Sequence, residues 1–229
     1  MTVTPRRYDV REQLRGDWLL LLLLAVGLVV GMVVAPNLSG PVPIHWNARG
    51  EPDGFLAPPW GAVIHPLVGA AVYLGLLVLP LIDPSRANYP LFAGTVRAIR
   101  WVLVLTALGL HAVGLLVALG HRLDSGRAVI GAVGLLFLIL GNVLGRVRHN
   151  WFIGIRTPWT LASEAVWQRT HRLAAPIWVL GGAVGILSAA LLPPRPRAAV
   201  FGAAVAVMVV VPVVYSYLEW RRTGAGESS

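Results

Sequence analysis

Two stretches of this chain gather side chains able to bind ligands or move protons. In residues 36–60, His45, Asn47, Glu51 and Asp53 stand close together, with Trp46 beside them. Imidazole, amide and carboxylates at that spacing suit a cation, a peptide or a polar headgroup. His65 and His111 follow in apolar sequence, where an ionisable side chain is costly and points to function. Joined with His45 and Glu51 or Asp53, they raise the reading of a membrane-embedded metal-dependent enzyme. In residues 142–174, Asn150, Arg156, Thr157, Pro158, Glu164, Trp167 and His171 form the second set. Asn150, Arg156, Thr157 and Glu164 read as the polar core of a docking surface, with Arg156 pairing with Glu164 or with a helix C-terminus. Glu164, Trp167 and His171 share one face at helical spacing.

The elements that position these residues follow from composition. The chain has 229 residues, 56% hydrophobic and 13% charged, with mean hydropathy +0.71. A soluble domain carries about 25% charge, so the apolar excess here faces lipid. The net charge of +9 comes from Arg alone, without Lys. Those arginines fill short gaps between apolar runs, so they read as topology signals rather than as a nucleic-acid surface. Without Cys, disulfides and thiolate metal sites are excluded. No H-E-x-x-H, G-x-S-x-G or phosphate loop is present, so the expectation is a non-enzyme with no cofactor and no metal.

Crossing the hydrocarbon core takes about 20 apolar residues. Six segments qualify: 17–35, 61–82, 99–120, 128–145, 175–192 and 198–218. The first, starting at Trp18, reads as a retained signal anchor. The fourth and fifth are short and Gly-rich, and a re-entrant segment is their alternative. Fourteen arginines fall on one side: Arg6, Arg7, Arg11, Arg15, Arg86, Arg97, Arg100, Arg146, Arg148, Arg156, Arg169, Arg172, Arg221 and Arg222. Five fall on the other: Arg49, Arg122, Arg127, Arg195 and Arg197. The six runs predict an all-α, polytopic membrane bundle, and that bias puts both termini in the cytoplasm. Loop 36–60 is then outside, and loop 146–174 inside. An N-terminal membrane domain, 1–97, precedes a second one, 98–229. Trp18, Trp60, Trp101, Trp178 and Trp220 fall near predicted ends, as interfacial anchors do. Gly27/Gly31, Gly141/Gly145 and Gly181/Gly185 have helix-packing spacing. The predicted spans hold essentially His and Asn as polar residues, which ranks a transporter low.

The six prolines of 36–60 forbid a continuous helix. Val42 to Trp46 is a short strand or polyproline-like segment, and 47–54 is turn-rich. Within the inner loop, Thr157 caps a helix that starts at Pro158 and runs to about Leu173. Trp and Leu on one side and Arg on the other suit the membrane surface.

The inner stretch resembles the signature of SdpI-type membrane immunity proteins. That pattern is G-N-x-L, then N-x-x-x-G-I-R-T-P-W-T-L, then V-W-x-x-T-H-R. It is met here by Gly141, Asn142, Leu144, Asn150, Gly154, Ile155, Arg156, Thr157, Pro158, Trp159, Thr160, Leu161, Val166, Trp167, Thr170, His171 and Arg172. His149 departs from it, where relatives often carry Pro. The outer stretch, through Pro43, His45, Trp46, Asn47, Gly50, Pro52, Asp53 and Gly54, resembles that family's N-terminal domain. The resemblance implies immunity to a secreted peptide toxin. It also implies transmission of the toxin's presence by holding a cytoplasmic transcriptional repressor at the membrane. The expected partners are thus membrane lipid, toxin and repressor. The outer loop would meet the toxin, and the inner loop the repressor.

Overall fold

In the computed structural model, residues 8–224 are described, and Arg6 and Arg7 of the charge count lie outside them. Asp9 opens a short helix, α1 (Val10–Gly16), by accepting from the Arg11 N–H at 2.8 Å. After Asp17 the chain enters α2 (Trp18–Val34), the first span. The prolines then force extended chain. β1 (Val42–Trp46) pairs antiparallel with β2 (Pro52–Leu56), with irregular register around His45. The turn-rich 47–54 stretch thus contributes a second strand, because Gly50 takes the left-handed φ of +76° that closes the hairpin.

The remaining helices are α3 (Ile64–Ile82), α4 (Ala93–Ala118), α5 (Ser125–Leu144), α6 (Pro158–Ala162), α7 (Glu164–Leu191) and α8 (Pro194–Arg222). Among the described residues, six helical stretches are long and apolar enough to cross a membrane. The re-entrant alternative fails: α5 has 20 residues and α7 has 28. At 1.5 Å per residue these run about 30 Å and about 42 Å, against a core of about 30 Å.

Three sequence expectations need correction. α4 starts at Ala93, so Arg97 and Arg100 lie inside a helix rather than in a connection. Trp101 is thus internal to α4, and Trp178 is internal to α7, which begins at Glu164. The Trp101 indole donates to Asp17, and that of Trp178 to the Met208 carbonyl. The expected surface helix from Pro158 to Leu173 breaks at Ser163, whose side chain caps α7; the rest is the first part of a span. It breaks because Ser163 is extended, with φ −143° and ψ 121°.

Small residues hold the helices close. Gly134, Gly141, Gly182 and Gly185 lie where α5 meets α7; a Cβ on Gly134 would sit 2.8 Å from the Ile186 nitrogen. Larger apolar groups pack near the two ends. Tyr89, Phe92, Val147, Ile153 and Trp167 cluster at one, and Ala35, Val42, Ala62 and Leu115 beneath the hairpin at the other. Outward faces stay apolar: Val29, Met32 and Val33 on α2, and Val209, Val210 and Leu218 on α8, are exposed.

At the hairpin end, Arg197 is buried and donates twice to Asp124, at 3.0 and 3.1 Å. Asp124 also caps α5 by accepting from the Arg127 N–H. The Arg197 hydrogen bonds hold the Asp124 carboxyl below its ordinary range. A carboxylate with a lowered folded value contributes stability above its unfolded pKa of about 3.9, lost as pH falls through the folded value. The wild type is therefore expected to melt above Asp124→Asn at neutral pH. The gap should close below about pH 4, as thermal melts of both proteins across pH will show.

Candidate functional site

The loop between α5 and α7 is built around Asn150, which is fully buried. Its Oδ1 accepts from the Phe152 N–H at 2.9 Å and the Ile153 N–H at 2.6 Å. Its Nδ2 donates to the carbonyls of Arg148 and Ile153. A single side chain thus replaces the pairing that secondary structure would give. Asp83, at the end of α3, fastens this loop to the N-terminal half. It accepts from the Trp151 N–H at 3.0 Å and from the Tyr89 hydroxyl at 2.8 Å.

Trp167 and His171 lie one turn apart on α7, stacked with ring centroids 4.2 Å apart. The Trp167 indole donates to the Val147 carbonyl at 2.9 Å. His171 Nδ1 lies 2.8 Å from the Trp167 carbonyl, and its Nε2 lies 3.0 Å from the Ile155 N–H. A carbonyl can only accept and an N–H only donate. The imidazole is therefore neutral, with its proton on Nδ1, and both nitrogens are used. Gly154 passes over these rings with φ +118°, leaving no room for a Cβ.

Thr157 caps α6 as expected, in a reciprocal box with Thr160: its Oγ1 accepts from the Thr160 N–H. It also lies 3.1 Å from the Ser216 hydroxyl, which ties the loop to α8. Thr157→Ala is expected to cost about 1 kcal/mol, and Thr157→Ser much less, read as melting shifts of the purified protein.

The seven inner-loop residues thus divide. Asn150, Thr157, Trp167 and His171 are buried, and Arg156, Pro158 and Glu164 are exposed. Arg156 pairs neither with Glu164 nor with a helix end. It donates to the Trp151 carbonyl at 2.8 Å, and Glu164 accepts from Gln168.

The hairpin is bonded to itself. Asn47 Oδ1 accepts from the N–H groups of Arg49 and Glu51, and its Nδ2 donates to Glu51. The Asn47 amide, followed by Arg49, holds the Glu51 carboxyl below its ordinary range. His45 Nδ1 lies 2.6 Å from Asp53, with His45 70% exposed. Trp46 is buried against His65, with ring centroids 6.1 Å apart. His65 and His111 are buried too, so His45 points away from them into solvent. Among the described residues, no three His, Asp or Glu side chains converge as a metal site, and the His45–His65–His111 set does not assemble.

Sequence reasoning missed one buried polar cluster. Asp17 and Arg100 are both fully buried and paired at 2.7 Å. Asp17 also accepts from Trp101 at 2.9 Å and lies 3.4 Å from Arg97. Arg100 also donates to Gln13 at 2.8 Å and to the Tyr8 hydroxyl at 3.1 Å. The spans therefore hold more than His and Asn. The available signal was that a carboxylate immediately before an apolar run needs a cation from another helix.

Comparison with known proteins places these features. The SdpI/YfhL protein family model matches residues 146–216: the Asn150 loop, α7 and most of α8. A domain of unknown function, DUF1648, matches residues 22–70, which hold most of α2, the hairpin and the start of α3. Immunity protein SdpI of Bacillus subtilis (strain 168) is 25% identical over 164 residues, 71% of this chain and 75% of that protein. No solved structure matches. Through the segment that builds the Asn150 loop and the helices after it, the chain is similar to the SdpI/YfhL protein family.

Proposed function

We propose that this chain is a multi-pass membrane immunity protein that protects its cell against a secreted antimicrobial peptide. The observation that carries the reading is the likeness to an immunity protein over 71% of the chain. The hairpin supports it. His45, Arg49, Glu51 and Asp53 project from a self-bonded turn seated on the bundle, offering both charges to a peptide arriving at that end. In this reading, which the arginine bias supports, that end is outside and the Asn150 loop is in the cytoplasm. There Arg156, Pro158 and Glu164 form the exposed surface for a cytoplasmic partner, a transcriptional repressor in our reading. Asn150, Thr157, Trp167 and His171 give that surface its shape. Toxin can signal only if it binds the bundle's states unequally and the partner distinguishes them.

The test is survival of sensitive cells exposed to toxin-secreting relatives, with and without the chain. Wild type should restore survival. Asp53→Ala should lose protection while reaching the membrane in normal amount. Arg156→Ala should keep protection and lose retention of the repressor at the membrane. Equal killing with and without the wild type across a broad toxin panel would overturn the immunity reading.

A further inference from the structure

We propose that the end of the bundle holding the Asn150 loop carries a binding site for one anionic phospholipid. Its headgroup sits in a basic cleft, and an acyl chain lies in an apolar groove beside it. The cleft has a volume of about 530 Å³ and lies between the start of α4, the Gly145–Arg148 segment and α7. Arg146, Arg148 and Arg172 line it. All three are exposed, and among the described residues none is paired with a carboxylate. The neighbouring Arg169 differs from them in having a carboxylate partner, Glu219.

The wall opposite the arginines is the first turn of α4: Ala93, Gly94 and Thr95. That turn has no side-chain cap and no acidic residue. A 26-residue helix thus presents its positive end to the same space as three cations. A Cβ at Gly94 would meet nothing within 4 Å, so the backbone there is open to a ligand.

The occupant's second half is read from the adjoining surface. Val147, which lines the cleft, also lines an apolar groove of about 270 Å³. That groove is walled by Ile99 and Leu103 of α4, Leu140 of α5 and Trp178 of α7, deeper in the bundle. A phosphate facing three arginines and a hydrocarbon facing this groove belong together in a lipid. An acidic peptide or a free phosphate fits the cleft alone.

The experiment is native mass spectrometry of the full chain released from nanodiscs of phosphatidylglycerol mixed with phosphatidylcholine. The wild type should retain one phosphatidylglycerol in preference to phosphatidylcholine. Each basic residue at a membrane surface changes binding by about fivefold, so Arg146→Gln/Arg148→Gln/Arg172→Gln should weaken retention roughly a hundredfold. Arg11→Gln/Arg15→Gln/Arg222→Gln removes as many charges outside the cleft and should leave retention unchanged. Gly94→Glu is the second arm. It puts a carboxylate where the α4 dipole favours one and where space is open, so it should fold normally in phosphatidylcholine yet lose phosphatidylglycerol. Equal loss from both triple variants would overturn the site, leaving general surface charge. Unchanged lipid retention by Gly94→Glu would overturn it too. Equal thermal protection of the detergent-solubilised wild type by inorganic phosphate would reduce the site to an anion pocket and overturn the lipid assignment.

Discussion

Asp17→Ala is expected to lower the melting midpoint of the purified protein by roughly 6–20 °C. Asp17 and Arg100 are both completely buried, and removing the carboxylate leaves the guanidinium with only the neutral oxygens of Gln13 and Tyr8. Stranding one member of a buried pair costs about 3–5 kcal/mol. In a chain of this size, each kcal/mol moves the midpoint by about 2–4 °C. The damage reaches beyond the pair, because Asp17 also accepts from Trp101 and faces Arg97. Arg100→Met should be milder: Asp17 keeps Arg97 and Trp101. Asp17→Leu/Arg100→Met should melt above Asp17→Ala, since no charge is left stranded. Size-exclusion recovery after heating measures all three. A double variant as unstable as Asp17→Ala would mean that the cluster acts through shape rather than charge.

The six spans were legible because lipid demands long apolar helices, and any helix of about 20 such residues announces itself. Their starts were less so. Arg97 and Arg100 resemble loop residues in sequence, yet they enter α4 because Asp17, 83 positions away from Arg100, receives them. Local composition cannot report a partner that far along the chain. The same blindness affected the second loop. Asn150, Arg156, Thr157, Glu164, Trp167 and His171 share one stretch of sequence, but only the fold separates buried from exposed. Asn150 and His171 spend their hydrogen-bonding capacity inside the molecule, whereas Arg156 and Glu164 face outward. In the hairpin, Asn47 and Gly50 had the turn chemistry that closes it. The second strand was hidden because Pro52, Asp53 and Gly54 are poor strand formers. Its pairing with β1, which packs on α4, overrides that preference.

Gly154→Ala is expected to destabilise the protein by roughly 3–9 kcal/mol and to abolish protection with it. Alanine is strained at φ +118°, at about 1–3 kcal/mol. Its methyl would also drive into His171 Nε2 and approach the Trp167 ring at 3.2 and 3.3 Å. Neither ring can move freely, because the Trp167 indole is bonded to Val147 and His171 Nδ1 to the Trp167 carbonyl. Displacing a packed group adds about 1–3 kcal/mol, and freeing the Ile155 N–H from His171 adds a similar amount. Arg156→Ala, two residues on, removes one exposed hydrogen bond and should change stability by about 0.5 kcal/mol or less. Melting midpoints and membrane abundance, measured beside survival under toxin, separate a shape-giving residue from a contact residue. Gly154→Ala/His171→Ala supplies the coupling. With the imidazole gone, the clash with Nε2 disappears, so Gly154→Ala should cost less in the His171→Ala background than in the wild type, keeping the backbone strain of about 1–3 kcal/mol and the approach to Trp167. If Gly154→Ala melts with the wild type, the loop does not cross His171 as described, and the division between buried frame and exposed surface fails with it.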